Sequence, residues 1–123
     1  MLDNENTKDV VGKSNLLDLA QTEGYYLLDF WAGWCGPCRF MLPILKRILE
    51  DAELKDKITL LKINADADEN QELIGEFDVS GLPTFVLIKS DGKGSYKVLS
   101  ENFTGTQDEI SFKTKLIELV TQS

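Results

Sequence analysis

The chain has 123 residues, of which 42% are hydrophobic and 28% are charged. These proportions and this length predict one globular domain, residues 1–123, with residues 1–7 as a flexible N-terminal segment. The formal net charge is -8. This charge argues against nucleic acids and anionic membranes as partners, because both bind clustered lysines and arginines.

The N-terminal residues 1–8 are polar and acidic, and they lack the basic and apolar regions of a secretory signal. No apolar run approaches the roughly 18 residues that a membrane-spanning helix needs. Both observations predict a cytoplasmic protein. In that compartment a close pair of cysteines suggests catalysis more than stapling.

The first elements in the chain are predicted to be a strand, a helix and a second strand. A short strand is expected at residues 8–11. Ser14 is a candidate N-cap for an apolar helix that Gly24 ends. The apolar run at residues 25–31, which only Asp29 interrupts, predicts a strand buried on both faces.

Two prolines mark the second helix, which we expect to run to about Asp51. Pro37 lies in the first turn, where a missing N–H costs nothing. Pro43 lies in the interior, where it should remove the hydrogen bond to the Arg39 carbonyl and kink the axis. A third strand is predicted at residues 58–63.

The second half of the chain begins with a helix and then has two adjacent strands. A polar connection at residues 66–70 leads into the third helix. An apolar strand at residues 84–88 is followed by a turn at 91–92 and a looser strand within 95–103. Residues 106–109, Thr-Gln-Asp-Glu, read as a capping box that opens the last helix.

This order of elements, β-α-β-α-β-α-β-β-α, predicts an α/β fold. Strands joined through helices should be parallel, and the late strand pair should form an antiparallel hairpin. We therefore expect a central mixed sheet of about five strands, flanked on both faces by four helices.

The two cysteines of the chain, Cys35 and Cys38, are separated only by Gly36 and Pro37. A closed zinc site needs four ligands, and the chain has no histidine. A structural disulfide would close too short a loop to stabilise the fold much. Two inert buried thiols are a third alternative, which Gly36-Pro37 opposes because it positions the pair at a strand-to-helix turn. Redox chemistry is favoured over all three.

The position of the pair predicts a mechanism. Cys35 lies at the start of a helix, where unpaired N–H groups and the helix dipole favour a thiolate. Cys38 lies about one turn further in and should be more buried. Cys35 would attack a substrate disulfide, and Cys38 would then resolve the mixed disulfide.

Three further residues have open interpretations. Asp29 is either buried, with a raised pKa that suits it to accept the Cys38 proton, or an outward-facing solvated carboxylate. Lys62 is either its neighbour or a lysine that extends to solvent. Pro83 begins an apolar strand, and the residues alone leave its cis or trans state open.

Residues 10–120 resemble the thioredoxin family. The segment Trp34-Cys35-Gly36-Pro37-Cys38, preceded by Asp29-Phe30-Trp31-Ala32, is similar to the active-site segment of the family. Pro43, Lys62, Asp66, Gly105 and the run Gly81-Leu82-Pro83-Thr84 match further family positions. The resemblance implies the thioredoxin fold, with Pro83 in the cis state and facing the cysteines.

The resemblance also implies roles for individual residues. Cys35 would be the attacking thiol, Cys38 the resolving thiol, Asp29 the buried proton acceptor and Lys62 its neighbour. No metal or bound cofactor is expected besides the Cys35–Cys38 disulfide. The implied substrate-binding residues are Trp34, Gly36, Pro37, Gly81, Leu82, Pro83 and Gly105.

A monomeric protein-disulfide reductase that carries electrons is the activity implied by the resemblance. It would be recharged by NADPH through thioredoxin reductase and would serve ribonucleotide reductase, peroxiredoxin and methionine sulfoxide reductase. A disulfide oxidase or isomerase, and a binding subunit that does not use its cysteines, are the alternatives. Gly36-Pro37 is similar to the dipeptide of reducing members.

Two features depart from the family pattern. Gly33 stands where the family more often has Glu, Thr or Pro. The segment at residues 90–104 is longer than the usual hairpin, and we expect its extra residues to lengthen the hairpin or form a bulge near the substrate surface. A tolerated surface insertion is favoured over a role in binding a particular partner.

Overall fold

The computed structural model describes residues 7–123, which build a mixed six-stranded sheet between two pairs of helices. The strands are β1 (Thr7–Val10), β2 (Gly24–Trp31), β3 (Ile58–Asn64), β4 (Thr84–Ser90), β5 (Tyr96–Val98) and β6 (Phe103–Thr104). The helices are α1 (Gly12–Leu19), α2 (Gly36–Leu49), α3 (Gln71–Glu76) and α4 (Glu109–Gln122), and a 3-10 turn covers Asp68–Asn70. The predicted α/β fold with four helices is confirmed, and the sheet has one strand more than expected.

Most of the segment predicted to be flexible, residues 1–6, lies outside the described residues. Thr7, the last residue of that segment, begins β1. Within residues 7–123 no helix is long and apolar enough to cross a bilayer.

The sheet order is β1-β3-β2-β4-β5, and β6 also pairs with β4. β1, β3 and β2 are parallel, whereas β4 is antiparallel to β2, β5 and β6. The central strand β2 is apolar on both faces because successive side chains enter different cores. Leu28 and Phe30 pack towards α1 and α3, and Leu27 packs towards α2 and α4.

Helix α1 begins earlier than the sequence predicted, because a side chain from a distant part of the sequence accepts a hydrogen bond from a backbone N–H of its first turn. Ser14 lies inside the helix, so its assignment as N-cap is wrong. The Gly12 N–H instead donates to Asn70 Oδ1 at 2.7 Å, and the Val11 N–H donates to Asn15 Oδ1 at 2.7 Å. Helix α1 ends at Leu19, and Gly24 begins β2 rather than ending the helix.

The capping box predicted at Thr106 is also wrong. Asp108 is the N-cap of α4, and its Oδ2 accepts from the Ser111 N–H at 3.0 Å. Asp108-x-x-Ser111 therefore does the capping, two residues after the predicted site. The backbone N–H of Gln107, which precedes this cap, donates to Met41 Sδ on α2 at an N···S distance of 3.4 Å.

The long segment after β4 folds back as an interrupted hairpin. β5 pairs with β4 at Ile88–Ser90, whereas β6 pairs with the other end of β4 at Thr84 and Phe85. Between them, residues 99–102 form a bulge, which Asn102 anchors by donating to the Phe77 carbonyl at 2.9 Å. Of the two expected arrangements, a lengthened hairpin or a bulge, the structure has the bulge.

Candidate active site

Cys35 and Cys38 form a disulfide at the start of α2, with their Cα atoms 5.3 Å apart. Cys35 is the N-cap residue, and its Sγ accepts from the Cys38 N–H at 3.2 Å. That N–H is one of the first donors of the helix, which have no carbonyl partner within the helix. A reduced Cys35 thiolate would therefore find a donor already in place. The sulfur–sulfur bond excludes two inert free thiols.

The two cysteines are buried almost equally, and the expectation that Cys38 is the more buried is wrong. Cys35 is 3% exposed and Cys38 is 7% exposed. Cys38 keeps some exposure because it borders a cavity of about 70 Å³ beneath the disulfide. The other residues lining this cavity are Asp29, Trp31, Arg39, Leu42 and Lys62.

Asp29 is buried in the middle of the sheet, so its outward-facing interpretation is wrong. Burial raises the pKa of its carboxyl to about 7, and the positive charge of Lys62 partly opposes this rise. Asp29 and Lys62 are register partners in the β2–β3 pair. Lys62 is half-buried, with its Nζ 4.7 Å from the centre of the Trp31 ring. The cavity thus brings Cys38 together with a carboxyl whose pKa is about 7.

The loop before β4 packs against the disulfide from the other side. The Leu82–Pro83 peptide bond is cis, and Leu82 packs against the cluster formed by Ala32, Cys35 and Cys38. The Gly105 N–H donates to the Pro83 carbonyl at 2.8 Å. A Cβ at Gly81 would lie only 3.3 Å from the Thr104 methyl carbon, so a glycine allows this close approach.

A groove of about 220 Å³ runs beside the disulfide, between Trp34 and the loop that carries Gly81 and Leu82. Its remaining lining residues are Ala65, Gln71, Ile74, Val79 and Ser80. Trp34 is 70% exposed, and Gly36 and Pro37 are exposed in the first turn of α2. The predicted site residues therefore fall into two groups, one beneath the disulfide and one on the surface around it.

Two charged residues at this surface were not predicted as site residues. The Trp34 indole N–H donates to Asp66 Oδ1 at 3.2 Å, and Arg39 Nη1 donates to the Gly33 carbonyl at 2.6 Å. Each holds one end of the exposed Gly33-Trp34 dipeptide. In the sequence nothing distinguishes Arg39 from an ordinary solvated charge, and Asp66 is marked only by its match to a family position.

Comparison with known proteins gives consistent matches. The family model for thioredoxin matches residues 6–118. A Bacillus subtilis thioredoxin is 46% identical over 72 residues, which cover 58% of this chain and 64% of that protein. A Rickettsia typhi thioredoxin is 36% identical over 93 residues, which cover 76% of this chain and 82% of that protein.

A solved structure of a thioredoxin variant from Halobacterium salinarum NRC-1 superposes with a TM-score of 0.71 at 32% sequence identity, covering 96% of this chain and 93% of that one. The matches to the Bacillus and Listeria thioredoxins span 64–65% of the length of those proteins. The family match extends over almost the whole chain and includes the cysteine pair, the cis-proline loop and most of the final helix. The chain belongs to the thioredoxin family.

Proposed function

We propose that the protein is a thiol–disulfide oxidoreductase that reduces protein disulfides as a single, monomeric domain. The observation that carries this proposal is the Cys35–Cys38 disulfide at the N-terminus of α2. A redox-active pair needs an attacking sulfur near donors and a second sulfur within bonding reach. Both conditions hold for this pair.

The proposed reaction consists of two exchanges. The Cys35 thiolate attacks one sulfur of a substrate disulfide, forms a mixed disulfide and releases the other substrate sulfur as a thiolate, which takes up a proton. The Cys38 thiolate then attacks Cys35 Sγ, forms the internal disulfide and releases the second substrate thiol. Two electrons and two protons pass to the substrate. The second step is intramolecular and therefore fast.

Asp29 is the proposed proton acceptor for Cys38 in the second step. Both residues line the 70 Å³ cavity, and the carboxyl has a pKa of about 7. A base of this pKa is half ionised at neutral pH, so it can accept the thiol proton and return it. Lys62 is a positioning residue, because its charge favours the ionised form of Asp29.

The proposed substrate surface surrounds the disulfide. Trp34 and Leu82 supply its apolar part, and the Leu82 backbone would pair with an extended substrate segment. Gly81 and Gly105 permit close approach because they lack side chains. Gly36, Pro37 and Pro83 complete this surface.

The partners and location that we propose come from the family. NADPH would recharge the disulfide through thioredoxin reductase. Ribonucleotide reductase, peroxiredoxin and methionine sulfoxide reductase would receive the electrons, in the cytoplasm. The bacterial relatives support this assignment.

Insulin disulfide reduction tests the activity, with Cys35→Ser as the control. We expect turnover with dithiothreitol as the reductant and a complete loss in the variant. Turnover with NADPH and a bacterial thioredoxin reductase would support the proposed recharging. Folded wild-type protein with free thiols that is inactive under both conditions would contradict the redox proposal and favour a binding role.

A further inference from the structure

We propose that the preferred substrates are disulfides in a basic sequence context, because the stretch of chain that forms most of the docking groove beside Cys35 carries six exposed carboxylates and no lysine or arginine. This inference rests on the proposed function and names its substrate class. The occupant of the groove would be the cystine-bearing segment of a partner protein, with lysines or arginines close to the target cysteines.

The groove provides the apolar part of this recognition. Trp34, Ile74, Val79 and Leu82 form its walls, and Ala65 leaves room at its base. Leu82 also touches the disulfide cluster. A segment that presents its cystine to Cys35 must therefore pass this groove, and its neighbouring residues must lie near the rim.

The stretch of chain that supplies most of the groove's lining residues, 63–88, is acidic. Residues 63–88 contain no lysine or arginine but six carboxylates, namely Asp66, Asp68, Glu69, Glu72, Glu76 and Asp78. All six are exposed. Among residues 7–123, only Glu76 of this set has a basic nitrogen within 4 Å, which belongs to Lys13. Five carboxylates of this stretch thus have no ion-pair partner in the described part of the chain.

The position of this charge matters more than its amount. The same stretch supplies five lining residues of the groove in its later part, from Ile74 to Leu82, and two in its earlier part, Ala65 and Gln71. Asp66 reaches Trp34 directly through the indole hydrogen bond. The negative field therefore lies where a partner must approach, and it would attract basic segments and repel acidic ones.

The exposed Arg39 is held on the Gly33 carbonyl. It borders the cavity that Asp29 and Cys38 share and does not line the groove. The redox step is unchanged, because the substrate disulfide still gains two electrons and two protons from the cysteine pair.

The test uses two cyclic disulfide peptides of equal length, one with lysine and one with glutamate beside each cysteine. Pre-reduced protein is mixed with each peptide, and the single-turnover rate is divided by the rate of the same peptide with dithiothreitol. We expect a lysine preference of roughly tenfold at about 0.01 M salt, which is lost at about 1 M salt, where charges are screened within about 3 Å.

A triple charge reversal, Asp68→Lys, Glu69→Lys and Glu72→Lys, should abolish or invert the preference. The matched control, Asp18→Lys, Glu50→Lys and Glu53→Lys, changes the net charge equally on exposed residues outside the stretch 63–88, and it should keep the preference.

Equal changes in both triple variants would overturn the proposal, as would a wild-type protein without any preference. If a variant fails to fold, the wild type alone tests the proposal, because its lysine preference should be present at low salt and lost at high salt. Failure of the proposed function itself looks different, because neither peptide would then be reduced at either salt concentration.

Discussion

Asp29 and Lys62 lie opposite each other in the parallel β2–β3 pair, and the acid is the more deeply buried partner. The lysine only partly offsets the cost of burying the carboxylate, so the pKa of Asp29 rises from 3.8 to about 7. The native state therefore holds a proton that the unfolded chain releases at lower pH. Stability contributed by the protonated acid is present below the unfolded pKa and is lost as the pH rises towards 7.

Replacing Asp29 with asparagine should remove the loss of stability that accompanies the rise in pH. Asparagine has nearly the same shape but no charge, so its unfolding free energy should not fall between about pH 4 and pH 7. We expect the variant to be more stable than the wild type by on the order of 2–4 kcal/mol at about pH 8, and nearly equal at about pH 4. Urea unfolding of the oxidised proteins across this range measures the difference.

Asp18→Asn is the matched control, because Asp18 is exposed on α1. Its stability should follow that of the wild type at every pH. A parallel pH profile for Asp29→Asn and the wild type would show that Asp29 ionises normally.

Cys38→Ser should trap the first intermediate. Without the second thiol, the mixed disulfide between Cys35 and a substrate can no longer be resolved within the chain. We expect a covalent adduct that accumulates to near one equivalent, seen by mass spectrometry and cleaved by dithiothreitol. The reverse result, adducts on Cys38 in Cys35→Ser at an equal rate, would contradict the assignment of Cys35 as the attacking thiol.

Asp66→Ala should weaken substrate reduction through Trp34. The variant removes the acceptor of the indole N–H, so this hydrogen bond no longer holds the exposed ring in its orientation. We expect kcat/KM for insulin to fall roughly threefold to fivefold, the equivalent of one net hydrogen bond. Asp66→Asn keeps an acceptor oxygen and should recover most of the activity. Identical losses in both variants would point to the charge of Asp66 instead.

Asn70 should be among the most sensitive polar residues for stability. Its buried side chain accepts from the Gly12 N–H at 2.7 Å and donates to the Asn64 carbonyl at 2.9 Å, so it ties α1 to the end of β3. Asn70→Ala leaves buried backbone groups without partners and should cost on the order of 3 kcal/mol in denaturant unfolding. Asn102→Ala, which removes one bond from an exposed residue, should cost about 1 kcal/mol. Similar costs for the two variants would contradict this account of Asn70.

The sequence predicted most of the fold because apolar patterns reflect burial. The strands around Asp29 and Val86, and the α2 helix after Cys35, show their periods or apolar runs directly. The errors at Ser14 and Thr106 have different physical causes. Asn70, from far along the chain, satisfies the start of α1. The start of α4 is capped locally, but by Asp108 instead of Thr106.

The site could be predicted only where its chemistry is written in residue types. Cys35 and Cys38 are recognisable from their residue type and spacing alone, whereas the burial of Asp29 and the partner of Trp34 depend on the register of strands. The near-equal burial of the two cysteines also depends on the cavity beneath them. No period or motif in a single chain specifies such a cavity.

The bulge at residues 99–102 separates β5, which pairs with the end of β4, from β6, which pairs with its start. β6 stays paired with the start of β4, and Gly105 stays bonded to Pro83, whatever the length of chain that lies between β5 and β6. New residues inserted at the bulge would therefore extend outward without altering the redox surface. This position is therefore suited to the insertion of an affinity tag or a recognition loop.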